Sequence, residues 1–285
     1  MCSIVGGPQR SKRQFILPLP LFFALLIANT ADAQIFLSGV PPASEYGRVI
    51  LDNHSSEGSP GPVLFDHWLH RSKFTCRLCH VDIGFAMRES ATGIKASTNQ
   101  QDFHCGACHN GKRVINGKVT FPSCSLTATS AEKQQCSRCH SLGKSGVRQF
   151  SYEKFTAKFP KDIYGIAWEQ AERTGVIKPI DALEGLSIPR APMKSRGNLA
   201  IQANAALFSD VRFSHEKHSI WNGCEVCHPD IFPPAQKGAV KYSMYKVARG
   251  GSCGVCHGSV AFPVNSCHWC HSGGVPWFQG PGHFP

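Results

Sequence analysis

The sequence predicts a mostly irregular fold, with a few short helices, minimal strand and two tandem modules. Three observations predict it. The pattern Cys-x-x-Cys-His occurs six times in 285 residues. The motifs fall into two triplets, and the first two of each triplet lie in a stretch that repeats at a constant offset. The chain also leaves only about 42 residues per motif once an N-terminal leader is set aside, too few to wrap six separate sites in protein.

The motif thiols are Cys76 and Cys79, Cys105 and Cys108, Cys136 and Cys139, Cys224 and Cys227, Cys253 and Cys256, and Cys267 and Cys270. The histidines that follow them are His80, His109, His140, His228, His257 and His271. Cys-x-x-Cys-His reads as a c-type haem attachment site. Each thiol pair forms two thioethers to the haem vinyl groups, and the adjacent imidazole is held beneath the iron as its proximal ligand. Zinc ribbons and dithiol redox sites also use Cys-x-x-Cys, but neither requires His after the second thiol. With 14 His in the chain, six such placements by accident are very improbable. The reading is therefore six haem c groups, a core built from packed macrocycles, and electron movement rather than catalysis. No catalytic residue is assigned.

Residues 1–33 read as a signal peptide. Arg10, Lys12 and Arg13 form a positive start, Phe15 to Ala28 is apolar but broken by Pro18 and Pro20, and Ala31-Asp32-Ala33 supplies the small-residue cleavage pattern. An uncleaved anchor is the rival, weakened by the short, interrupted apolar run. No integral membrane span is expected in the mature chain. Export places the protein in the periplasm, at the outer membrane or outside the cell. Cys2 leaves with the leader, and Cys124 remains as the one thiol outside the motifs, read as buried or capped.

The net charge of +11 would ordinarily point to nucleic acid. The leader holds three basic residues and one acid, which leaves +9 for the mature chain. Twelve propionates on six ferric haems bring this to about +3. The basic excess is thus counter-charge, and nucleic-acid binding is excluded.

Residues 63–109 match 211–257 without a gap at an offset of 148, with 14 of 47 positions identical. The expected organisation is an N-terminal segment at 34–62, a trihaem module at 63–141, a linker at 142–207, a second module at 208–272 and a tail at 273–285. The linker contains no Cys and no His. Within it, Asp162 to Arg173 predicts a short helix with Ile163, Ile166, Ala167 and Ala171 near one face, Pro160 before it and Gly175 after it. Its expected role is to strap the modules together.

Each iron needs a second axial ligand. Phe65-Asp66-His67-Trp68-Leu69-His70 and Phe213-Ser214-His215-Glu216-Lys217-His218 stand at the same distance before the first motif of each half. A His-x-x-His pair on one helical turn projects both imidazoles from one side. This arrangement resembles the trihaem (c-seven) branch of the class III multihaem cytochromes c, over about 65–140 and 213–271. The resemblance implies that His67 and His215 serve the haems of His80 and His228, and that His70 and His218 serve those of His109 and His257. It also places the third haem's distal ligand shortly before the second motif. His104 fits this in the first half, although it abuts Cys105. In the second half the equivalent is Ser252, so Met244, His283, His268, His54 and an open site compete, with Met244 preferred.

Bis-histidine iron has no room for substrate and suits fast one-electron exchange. The resemblance implies redox-protein partners, periplasmic or outer-membrane cytochromes, within a bacterial respiratory or extracellular electron-transfer chain. Two other readings stay open. One is a multihaem reductase of a small oxyanion, which needs an open haem. The other is self-assembly by head-to-tail stacking of modules.

Overall fold

The computed structural model describes residues 41–54, 61–124, 134–140, 151–162, 165–188, 190, 197–203, 209–234 and 238–271. The leader, Cys2, the tail and His283 lie outside these residues. Among the described residues regular structure is short. Four antiparallel hairpins pair Arg48–Leu51 with Val63–Asp66, Val114–Ile115 with Lys118–Val119, Lys161–Asp162 with Gly165–Ile166, and Leu199–Ile201 with Val211–Phe213. The longest described helix, His215–Asn222, has eight residues.

The first and last hairpins are copies of each other. Each delivers the chain into the helix that carries a His-x-x-His pair, His67–Arg71 in the first module and His215–Asn222 in the second. The helices differ in length for a local reason. Ser214 caps the second, its hydroxyl accepting from the Lys217 amide at 3.2 Å. Such a cap contributes about 1 kcal/mol. The equivalent Asp66 instead accepts from Arg48 Nε at 2.9 Å and caps nothing. The uncapped helix is five residues long.

A second repeated device brings the helix Ala96–Gln100 onto the turn His104–Ala107, and the helix Met244–Ala248 onto Gly254–His257. Gly106 and Gly254 make the approach. A Cβ on Gly106 would lie 1.8 Å from the Asn99 carbonyl oxygen, and one on Gly254 would lie 1.9 Å from that of Val247. Only a residue without a side chain permits backbones to come this close.

The segment expected as one helix from Asp162 to Arg173 is divided. Lys161–Asp162 and Gly165–Ile166 form a hairpin, with Gly165 at φ 120°. Helix begins at Trp168 and runs to Arg173. Glycine at positive φ cannot continue a right-handed helix, so the turn overrides the apolar spacing. A further helix, Tyr152–Phe155, precedes it, capped by Ser151.

This intervening chain touches both modules. On the first, Phe74 pairs with Ile180, Thr75 Oγ1 donates to Asp181 at 3.0 Å, and Arg77 pairs with the same carboxylate. On the second, Lys217 reaches Glu169 at 2.9 Å and the Trp221 indole donates to Glu172. Arg190 bridges the two, with Nη2 2.7 Å from Asp82 and Nε 2.9 Å from Glu225. Aromatic packing runs from Trp68 to Tyr152 and Phe155, then through Phe159 to Trp168.

The apolar core is thin. Among the described residues the buried hydrophobic side chains are Trp68, Leu78, Ala107, Tyr152, Ala171, Ile177, Val226 and Val247, scattered over both modules and the strap. Protein side chains alone supply little of the buried apolar surface that folding requires.

Candidate functional site

The His-x-x-His helices and the motif turns face each other. His67 and His80 lie with ring centroids 6.5 Å apart and planes within 6°. His70 and His109 are 6.3 Å apart, and His218 and His257 are 6.1 Å apart. These separations are too long for direct packing to be the purpose. A metal–imidazole bond of about 2.0–2.1 Å, with a further ~1.1 Å to the ring centre, puts two imidazoles on opposite sides of one metal ion with centroids about 6.3 Å apart.

The second ring nitrogen of most of these imidazoles is anchored. A ligating histidine ordinarily gives its second ring nitrogen to a carbonyl or carboxylate, which fixes tautomer and orientation. Here the anchors are main-chain carbonyls. His67 Nδ1 donates to Gly47 at 2.7 Å and His215 to Gly197 at 3.2 Å. His80 donates to Phe85 at 2.8 Å, His257 to Phe262 at 3.1 Å, and His228 to Phe232. His140 donates to Gly61 at 2.5 Å and His271 to Ser209 at 2.6 Å. Gly61 and Ser209 each stand two residues before the second strand of their hairpin. His218 donates to Ser214 at 2.8 Å. With Nδ1 committed, Nε2 is the nitrogen left to bind a metal. His70 and His109 have the matching carbonyls of Asp66 and Phe121 beside them, but outside hydrogen-bond geometry.

The recurring phenylalanine has a physical role. Phe65 meets His67 edge-on at 4.9 Å and stacks on His70 at 4.4 Å. Phe213 does the same to His215 at 4.8 Å and His218 at 4.4 Å. One aromatic ring thus sets both imidazoles of a pair. Phe121 and Phe262, each followed by a proline, pack on His109 at 4.4 Å and His257 at 4.2 Å.

Burial keeps the imidazoles neutral. It lowers the pKa of His67 from 6.5 to about 4, His70 to about 3 and His257 to about 4, and it lowers His80, His109 and His218 as well. Neutral imidazole is the ligating form. The thiols move the opposite way. Burial, aided by neighbouring cysteines, pushes Cys79, Cys105 and Cys256 up to about 12 and Cys270 to about 11. That direction disfavours thiolates, which zinc sites and redox dithiols require. It suits sulfurs that end as neutral thioethers. Among the described residues every cysteine is outside a disulfide, and no three His, Cys, Asp or Glu side chains converge on one point.

The motifs form a connected series. Cys139 senses Cys105 across the first module, and Cys79 senses Cys105 and Cys108. Cys76 senses Cys227 and Cys256 in the second module, and Cys253 senses Cys227 and Cys270. Adjacent motifs therefore lie close to one another. The residues present fit covalently held haem at opposed imidazole pairs.

The family comparison agrees. The model for cytochrome c7 and related cytochrome c matches residues 63–141 and 211–272. Both modules belong to the cytochrome c7 family. The chain is therefore a multihaem c-type cytochrome with an internal repeat, and its role is electron transport. The chain is similar to a solved N-terminal hexahaem fragment, at 22% identity over 80% of this chain and 99% of that one, with a TM-score of 0.24. It is also similar to a dodecahaem cytochrome c, at 20% identity over 82% of this chain and 78% of that one, with a TM-score of 0.24. A nonahaem cytochrome c matches at 18% identity, covering 82% and 97%, with a TM-score of 0.18. Among curated proteins none matches.

Within this cytochrome the remaining candidates are placed less symmetrically. No ring contact joins His215 to His228 among the described residues. His104 packs on Phe85 at 5.6 Å, its buried Nδ1 has no hydrogen-bond partner, and no ring contact joins it to His140. Met244 is 43% exposed at the start of its helix. His54 and His268 are exposed. Cys124 accepts a long contact from Asn99 Nδ2 at 3.7 Å and lies near Cys105 and Cys139. Among the described residues no helix is long and apolar enough to cross a membrane.

The carbonyl anchors at Gly47, Gly197, Gly61 and Ser209 were not legible beforehand. A glycine just ahead of a short strand was the available signal, and it marks that the repeat begins before Val63 and Val211.

Proposed function

We propose that the chain is an exported hexahaem c-type cytochrome that carries single electrons along six closely spaced haems. The observation that carries this reading is the set of opposed imidazoles at 6.1–6.5 Å, each pair joining a Cys-x-x-Cys-His turn to a His-x-x-His helix. Haem c supplies reversible one-electron chemistry when bound. The chain's residues fix its surroundings. The twelve motif cysteines attach it. His80, His109, His140, His228, His257 and His271 would hold the iron from the motif side, and His67, His70, His215 and His218 would hold it from the other side at four sites. His104 and Met244 are the candidates at the third site of each module.

Where two opposed imidazoles would hold one iron, no coordination position would be left for substrate and the ligand set would stay the same in both oxidation states. This favours a carrier over a reductase of a small oxyanion. The leader points to the periplasm or beyond, and the redox partners are other cytochromes there. Mass spectrometry of the protein secreted by a haem-maturing host tests the count: six haem masses are expected, and fewer than six overturns it. Near-infrared and EPR spectra of the same sample count bis-histidine against His/Met irons. Met244→Leu should abolish any methionine signal, and an unchanged spectrum excludes Met244.

A further inference from the structure

Arg71 follows directly on the first His-x-x-His pair and lies at the contact between the modules. Its guanidinium sits over two indoles, 4.7 Å from the Trp168 centroid and 5.2 Å from that of Trp221. Its Nη1 donates to the Val260 carbonyl at 3.3 Å. Among the described residues no carboxylate lies within ion-pair distance of it, the Glu172 carboxylate acting only from farther off, whereas Arg48, Arg77 and Arg190 each hold a carboxylate. Trp168, Phe74, Ile177 and Pro179 wall it in beside Cys76. A cation enclosed by aromatic and aliphatic groups loses water that would screen it, so its field reaches farther than that of a surface charge.

That field falls on two haem sites. Arg71 acts electrostatically on Cys76 and on His67, which belong to the first site of the first module. It also acts on Cys256 and His257, which belong to the second site of the second module and stand just before the Val260 carbonyl that it holds. Cys76 and Cys256 in turn sense each other. These are the sites through which the two modules meet. The equivalent of Arg71 in the second module is Ser219, so the cation breaks the symmetry of the repeat at this junction.

We infer that Arg71 is a potential-setting residue that raises the reduction potentials of the haems held at Cys76–His80 and Cys253–His257. A nearby positive charge with no carboxylate in direct contact favours the ferrous state, which carries one more electron than the ferric. The two haems at the junction thereby hold electrons more readily, and the step between modules is matched on both sides. The inference rests on the haem-binding reading above.

The test is potentiometric titration of the holoprotein, followed by NMR so that individual haems are resolved. Arg71→Met removes the charge and keeps the length, and Arg71→Lys keeps the charge. Arg71→Met should lower the reduction equilibrium of two haems about tenfold each, or about 59 mV for a one-electron couple, and leave the other four within a third of that. Arg71→Lys should stay near the parent. If Arg71→Met does not fold, Arg71→Gln removes the charge while keeping a donor for Val260. Unchanged potentials in a charge-removed variant with its full haem complement would overturn the inference. So would an Arg71→Lys shift as large as that of Arg71→Met, which would trace the effect to packing. Mass spectrometry of the parent separately reports whether the six haems are present, so failure of the underlying reading is distinguishable.

Discussion

Replacing Gly106 with alanine isolates the close approach that sets the second motif of the first module. The added Cβ would stand 1.8 Å from the Asn99 carbonyl oxygen, 2.6 Å from its carbon and 2.9 Å from Asn99 Cα. All three are main-chain atoms, so no side chain can swing aside. Restoring ordinary contact requires the helix Ala96–Gln100 and the turn His104–Ala107 to part by roughly 1.5 Å. Overpacking of this kind costs about 1–3 kcal/mol, and a backbone clash belongs at the upper end. For a chain of this size, about 3 kcal/mol corresponds to a fall of about 6–12 °C in Tm. The assay is thermal unfolding of the haem-loaded protein at a fixed scan rate, followed at the Soret band and by far-ultraviolet dichroism. Gly254→Ala, with its Cβ 1.9 Å from the Val247 oxygen, should give a comparable loss. A Gly106→Ala protein melting within 2 °C of the parent would refute the reasoning.

Three further outcomes are expected. His218→Ala should open one iron and make the reduced protein bind one equivalent of carbon monoxide more than the parent; a variant that binds no more than the parent contradicts the pairing with His257. Arg190→Met strands Asp82, whose side chain is 2% exposed, and should cost about 3 kcal/mol in denaturant unfolding; adding Asp82→Asn should recover most of the loss, whereas the Glu225 arm, 43% exposed, should contribute little. Burial holds the His67 pKa at about 4 against 6.5 in the unfolded chain, so unfolded imidazoles take up protons that folded ones refuse; stability should be level above about pH 7 and fall as pH drops from 6.5 towards 4, and a midpoint that rises on acidification over that window would contradict the burial.

What was legible in the sequence follows from how far each interaction reaches along the chain. The motif turns and the His-x-x-His helices are local, spanning four or five residues, so spacing alone revealed them. The role of Phe65 and Phe213 is also local, two and five residues from the imidazoles they touch. The anchors were not legible, because His140 takes its carbonyl from Gly61 and His271 from Ser209, 79 and 62 residues away. Every residue carries a carbonyl, so composition gives no hint which one is used. The hairpin at Lys161–Ile166 was hidden for a different reason. Ile163, Ile166, Ala167 and Ala171 mimic helical spacing, and Gly165 decides the local geometry against it. Arg71 read as one more counter-charge until Trp168 and Trp221, 97 and 150 residues downstream, were seen to face it.

The carbonyl anchors also bear on how such a chain diverges after copying. A ring nitrogen held by the main chain asks nothing of the side chain at the anchoring position, which is why glycine at 61 and serine at 209 do the same work. Inheritance must preserve the sulfurs, the imidazoles, an aromatic ring or two and the path of the backbone. Apart from the glycines at 106 and 254, most other positions have more latitude, and one of the two descendants has used it to place an arginine where its sibling has a serine.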